Sequence, residues 1–168
     1  MKVSANVERA LTVVLILALS KNQERLSSRT LSTLIESSDS SIKKLLTALS
    51  KASIIDSFEG KDGGYQLAQP LEKLNLADVW LAVENPIFQV KSLNLVDRLF
   101  KEKEQIERSK ISLQEGLDRA ADAYVKELKT IGLRELLLED YQEKRFSWLE
   151  RLKEKNNGKN EDSCHAYR

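Results

Sequence analysis

Two short amphipathic segments meet with no spacer between them, and this junction limits the fold more than any other feature of the chain. LSSRTLSTLIES ends on Ser37, and SDSSIKKLLTALSKA begins on Ser38. In the second segment Ile42, Leu45, Leu46 and Leu49 fall at i, i+3, i+4 and i+7, one stripe of a helix. At about 100° per residue, Ser40, Lys44, Thr47 and Lys51 lie on the opposite face. Ser38 is placed to cap this helix. In the first segment Ser27 is the N-cap, and Leu26 can staple onto Leu31. Leu31, Leu34 and Ile35 form its buried face. Helices joined this tightly do not lie side by side. A steep crossing, as in helix-turn-helix, suits them.

After Ala52 the period changes. Ile54 to Glu59 and Tyr65 to Gln69 read as two short strands around Gly60-Lys61-Asp62-Gly63-Gly64, a turn tolerant of positive φ. A hairpin directly after a helix-turn-helix is the order of a winged helix. Pro70 closes the second strand. Asn75 then caps a helix with Leu76, Val79, Trp80 and Val83 at helical spacing. Upstream, the apolar run Ala10 to Leu19 is too short to span a bilayer. Glu8 and the poor cleavage site at Ala18-Leu19-Ser20 argue against a secretory signal. The run is expected as a buried first helix, from about Ser4 to Ser20. No other segment is a membrane candidate.

Asn85-Pro86 breaks the fourth helix. Val96, Leu99, Phe100 and Ile106 hint at a further helical piece. From Ser109 to Lys129, the spacing of Leu113, Leu117, Ala120, Tyr124 and Leu128 forms a coiled-coil-like seam. A last helix is expected over Leu133 to Lys155. The fold class is therefore mainly α with a small β-hairpin. The expected organisation is a winged helix-turn-helix domain over 1–84, a linker over 85–108, a helical dimerisation region over 109–155 and a disordered tail over 156–168. The sequence shows no nucleophile system built on His, no P-loop and no dinucleotide glycine motif, so an enzyme is not expected.

The wing and the helix after it, EGKDGGYQLAQPLEKLNLADVWLAVE, resemble the Rrf-two family of bacterial regulators, of the IscR and CymR type. SSDSSIKKLLTALSKASII is similar to the family's recognition helix and first wing strand. SLQEGLDRAADAYVKELKTIGLREL resembles its long dimerisation helix. The resemblance covers roughly residues 1 to 138, and Gly-Gly-Tyr-x-Leu-Ala, followed by x-Pro, is its most specific part. It implies a cytoplasmic homodimeric transcription factor, often a repressor. Each recognition helix would enter a major groove of double-stranded DNA, with the wings along adjacent phosphates. Carried over by position, Ser38, Ser40, Ser41, Lys43 and Lys44 lie where the family contacts DNA. Ser28 and Arg29 open the supporting helix, where backbone N–H groups and a guanidinium suit phosphate. Lys61 sits at the wing tip.

Two departures modify this picture. The family wing commonly carries arginine where this chain has Glu59 and Gln69, and Asp62 adds another acid. Residues 1 to 84 hold ten Lys/Arg and ten Asp/Glu, so the positive contact must come from residues 38–52, with three lysines and one acid. Modest, strongly salt-dependent DNA binding is expected. Cluster-binding members also use cysteines before the dimerisation helix, and residues 85–108 have none. No cofactor is expected. Cys164 and His165 do not close a metal site, because one thiolate and one imidazole are too few ligands. A clusterless regulator needs another effector, small molecule or protein, and Trp80, Phe88 and Phe100 are candidate pocket walls. The competing reading is a winged-helix protein–protein interaction module with weak or no DNA binding, for which a neutral charge is natural.

Overall fold

The structure, a computed structural model, describes residues 4–60, 62–84, 95–137, 139–142 and 144–153. Helix α1 spans Ala5–Ala18, capped by Ser4, and buries Val7, Ala10, Val13, Val14, Ile16 and Leu17. The apolar run read from sequence is thus the central helix of the core. Among the described residues no helix is long and apolar enough to cross a membrane. Ser4 also donates a hydrogen bond to the Glu84 carboxylate, tying the start of α1 to the end of the fourth helix.

Helix α2 spans Ser28–Ile35 and α3 spans Asp39–Lys51. The turn between them works because Glu36 takes a left-handed conformation at φ 55°. The Ser37 N–H then donates back to the Ser32 carbonyl at 3.0 Å. This satisfies a carbonyl at the end of α2 and redirects the chain within two residues. The α3 stripe is completely enclosed: Ile42, Leu46 and Leu49 are 0% exposed and Leu45 is 7%. Leu26 and Leu31, the expected staple pair, share the same core cluster.

Strands β1, Ile55–Phe58, and β2, Gly64–Leu67, pair antiparallel with Ile55 opposite Leu67 and Phe58 opposite Gly64. A third segment joins them. Leu26 and Tyr65 exchange both backbone hydrogen bonds, at 3.0 and 2.9 Å, which fastens the wing to the entry of α2. This contact explains Gly64, and the hairpin's own backbone explains Gly63. A Cβ on Gly63 would lie 2.4 Å from the Phe58 carbonyl oxygen, and one on Gly64 would lie 3.0 Å from that of Leu26. Positive φ is needed at Gly60 and Gly64, whereas Gly63 is required for close backbone approach.

A capping box between Asn75 and Asp78 starts α4, Leu76–Val83. Helix α5 spans Leu95–Leu99 and α6 spans Lys103–Leu128. The long helix therefore begins within the expected linker rather than at Ser109. Its first turns are supported by the Glu104–Arg108 pair at i,i+4, and Lys110 bridges back to Asp97 of α5 at 3.0 Å. The expected seam divides. Leu128 is buried, and Tyr124 stacks edge-on against Trp80 of α4 with ring centroids 5.5 Å apart. Leu113 and its neighbour Ile111 remain 54% and 57% exposed.

The expected single helix over Leu133–Lys155 is broken. A 3₁₀ turn occupies Leu133–Leu136, and α7 covers only Glu139–Gln142. Tertiary bonding overrides the helical spacing. Phe146 donates to the Leu19 carbonyl at 2.7 Å and accepts from Lys21 N–H at 2.8 Å, as a strand-like bridge. Helix resumes at 148–153. The Trp148 indole donates to the Ile16 carbonyl at 2.8 Å, so this segment straps onto α1. The expected tail, 156–168, and residues 85–94 of the expected linker lie outside the described residues.

Candidate nucleic-acid interface

The polar end of α3 is built by its own cap. Ser38 accepts the Ser41 N–H at 3.3 Å and its hydroxyl donates to the Ser41 hydroxyl at 2.8 Å. This leaves Ser38, Ser40, Ser41, Lys43 and Lys44 exposed around the first two turns. The α2 start is built the same way, with Ser27 accepting the Thr30 N–H at 3.1 Å. Ser28 is half-buried and Arg29 is exposed. Both helix starts direct N–H groups outward, an arrangement suited to anionic oxygen.

The two adjacent lysines diverge. Lys43 reaches back one turn to Asp39, Nζ to Oδ2 2.6 Å. The Lys43 ammonium, and after it the Ser28 hydroxyl, holds the Asp39 carboxyl below the usual carboxylate range, and Arg29 adds to the effect. Asp39 in turn raises Lys43 above the usual lysine value, with Tyr65 of the wing contributing. Ser28, Arg29, Asp39 and Lys43 therefore form one cluster where α2, α3 and the wing converge. Lys44 lies elsewhere. With Thr47 and Lys51 it lines an open cleft of about 420 Å³ shared with Leu81 and Ala82 of α4. The acid counted against the lysines in the sequence is thus a direct partner of one of them.

Lys61 lies outside the described residues. A different cation stands near the wing. The Arg25 guanidinium covers the Phe58 ring of β1, 3.7 Å from the ring centroid. Arg25 is not singled out by the sequence. The available signal was its position one residue before Leu26, but the Leu26–Tyr65 bridge that brings it to the wing is a long-range contact. Of the pocket walls read from sequence, Trp80 packs on Tyr124, Phe100 is 58% exposed, and Phe88 lies outside the described residues.

Comparison with known proteins agrees with this geometry. A family model described as Rrf2, iron-dependent transcriptional regulator, matches residues 3–139. The chain belongs to the Rrf2 family. The HTH-type transcriptional regulator YffB of Lactococcus lactis is 31% identical over 135 residues, covering 79% of this chain and 85% of that protein. YwgB of Bacillus subtilis, of the same type, is 36% identical over 95 residues, covering 55% of this chain. That match spans 61% of YwgB's own length. The structure of CymR, the global cysteine regulator of B. subtilis, shares the fold, with a TM-score of 0.55 and 22% identity over 81% of this chain and 95% of that one. Membership places this chain among transcriptional regulators with a winged helix-turn-helix, and α2, α3 and the β1–β2 hairpin are those parts.

The family description mentions iron, and the donor set here does not fit an iron–sulfur cluster. Such a centre takes several thiolates, whereas the chain has one cysteine, Cys164. Among the described residues no group of three or more His, Cys, Asp or Glu is placed to hold a metal ion.

Proposed function

We propose that this Rrf2-family regulator binds a palindromic operator as a homodimer and represses transcription, with α3 in the major groove. The carrying observation is the exposed, capped, serine- and lysine-rich start of α3 above a wholly buried apolar stripe. A helix anchored on one face presents the other as a rigid reading head. Ser40, Ser41 and Lys44 are assigned to base edges and adjacent phosphates, and Ser38 positions them as the cap. Ser28, Arg29 and Lys43 are assigned to phosphate beside the helix starts. Lys61 belongs to the wing contact, with Arg25 as a second cation near the wing.

The dimer reading rests on α5 and α6. Val96, Leu99, Phe100, Ile111 and Leu113 are all exposed apolar side chains on this arm. An apolar surface of this extent marks an association site. Helix α6 has 26 residues, about 39 Å at 1.5 Å per residue, and so suits pairing with a second copy.

Footprinting on fragments from upstream of the regulated genes tests the proposal. The expected result is two protected half-sites related by two-fold symmetry, about one helical turn apart. A reporter driven from the same promoter should rise when the regulator is deleted. Failure to shift any fragment of the source genome, with a stable protein partner retained, would instead establish the protein-interaction reading.

A further inference from the structure

A cavity of about 490 Å³ lies where the end of α1, the wing and the strap after α6 meet. Its volume falls in the range that takes small metabolites. The lining chemistry is specific. Among the described residues five carboxamides line it: Asn22, Gln23, Gln66, Gln69 and Gln142. Each can both donate and accept a hydrogen bond. Among the described lining residues the charges balance, Asp56 and Glu72 against Arg134 and Arg145. They are also separated by element. Asp56 stands on β1, opposite Gln66 of β2, and both arginines come from the chain after α6, Arg134 from the 3₁₀ turn and Arg145 from the strap.

Arg134 is committed to Glu72 at 2.6 Å. Arg145 directs one terminal nitrogen to the backbone carbonyls of Gln142 and Lys144. A guanidinium has five N–H donors and a carboxylate uses two, so these bonds orient the group without exhausting it. A polyphosphate would meet two acids here, and a lipid would meet amides. An occupant with one ammonium, one carboxylate and a short side chain matches both the charges and the carboxamides.

We propose that this cavity binds a free amino acid, its ammonium on Asp56, its carboxylate on Arg145 and its side chain among the carboxamides. Binding stands on the cavity alone. Its regulatory consequence rests on the DNA-binding reading above. The occupant would connect the wing to the strap, so it favours whichever wing position keeps both walls in reach.

Thermal unfolding of the full chain with each of the standard amino acids, at millimolar concentration, provides the test. One amino acid, or one chemically related group, should raise Tm with a saturable dependence on concentration. Asp56→Ala and Arg145→Ala alter exposed residues and should leave the ligand-free Tm unchanged while abolishing the response. No response from any amino acid, or an equal response in both variants, overturns the assignment. Operator binding is measured in parallel. An amino-acid response without DNA binding supports the cavity and removes the regulator reading. DNA binding without an amino-acid response removes the cavity assignment alone.

Discussion

Helices α3 and α6 both carry an apolar stripe at helical spacing, and the chain treats them in opposite ways. All four stripe residues of α3 are buried against α1, α2, α4 and β1. On α6 burial is confined, among the described residues, to the two ends, where Ile106 and Leu128 are buried and Tyr124 meets Trp80. Burial there raises the Tyr124 phenol above its usual value. Toward the N-terminal half, Ile111 and Leu113 stay exposed. One periodicity thus supports a domain core in one place and a partly exposed face in the other. Spacing says that a helix has an apolar side. It does not say which body covers that side.

Substitution should separate the two roles. Leu46 is 0% exposed in α3. Leu46→Ala should destabilise the domain by about 2–5 kcal/mol, the range for a leucine deleted from a packed core, measured by urea unfolding. The matching change on α6, Leu113→Glu, should leave the α1–α4 fold intact and convert a dimer to a monomer in light scattering. A Leu113→Glu chain that remains dimeric would move the association surface elsewhere.

The polar side of α3 provides finer tests. Lys44→Ala should weaken operator binding and reduce the salt slope by about 1, the contribution of one phosphate contact. Unchanged affinity at physiological salt would show that Lys44 serves only its cleft with α4. Asp39→Asn should have the opposite effect, a few-fold tighter binding in a mobility shift, because it releases Lys43 and removes an acid from the interface. The Asp39 carboxyl is lowered in the fold, so its stabilising pair is present above the ordinary aspartate value. That pair is lost as pH falls through the lowered one. Lys43 is raised, so its share is present below the ordinary lysine value and lost above the raised one. Affinity across pH 6 to 8 should therefore show no step from this pair.

The smallest expected effect lies at the exit of α3. Ser53 has φ 56°, and Ile54 N–H donates to the Leu49 carbonyl beyond it at 3.1 Å. Ser53→Gly relieves a left-handed non-glycine residue and should raise stability by up to about 1 kcal/mol, with operator affinity unchanged. A loss of stability would show that the serine does more in this turn than its backbone angle requires.

Local physics explains what was legible. The expected caps at Ser27, Ser38 and Asn75 form within three residues of sequence, and all three accept a first-turn backbone N–H. The α3 stripe and the hairpin are equally local, and the core they predict is the core that exists. Departures occur where distant segments compete for the same backbone. The helical spacing through Tyr141 and Trp148 is genuine, yet Phe146 hydrogen-bonds to Leu19 and Lys21 instead. Arg25 reads as a turn residue until the Leu26–Tyr65 bridge places it over Phe58. Lys43 reads as an open cation until Asp39 takes it. The amino-acid order alone determined α1 to α4, the caps at Ser27, Ser38 and Asn75, the wing and membership of the Rrf2 family. Tertiary structure decided which apolar residues of α6 stay exposed, where the strap docks and what surrounds the cavity. Those outcomes depend on contacts between residues far apart in the chain, whose formation no local period records.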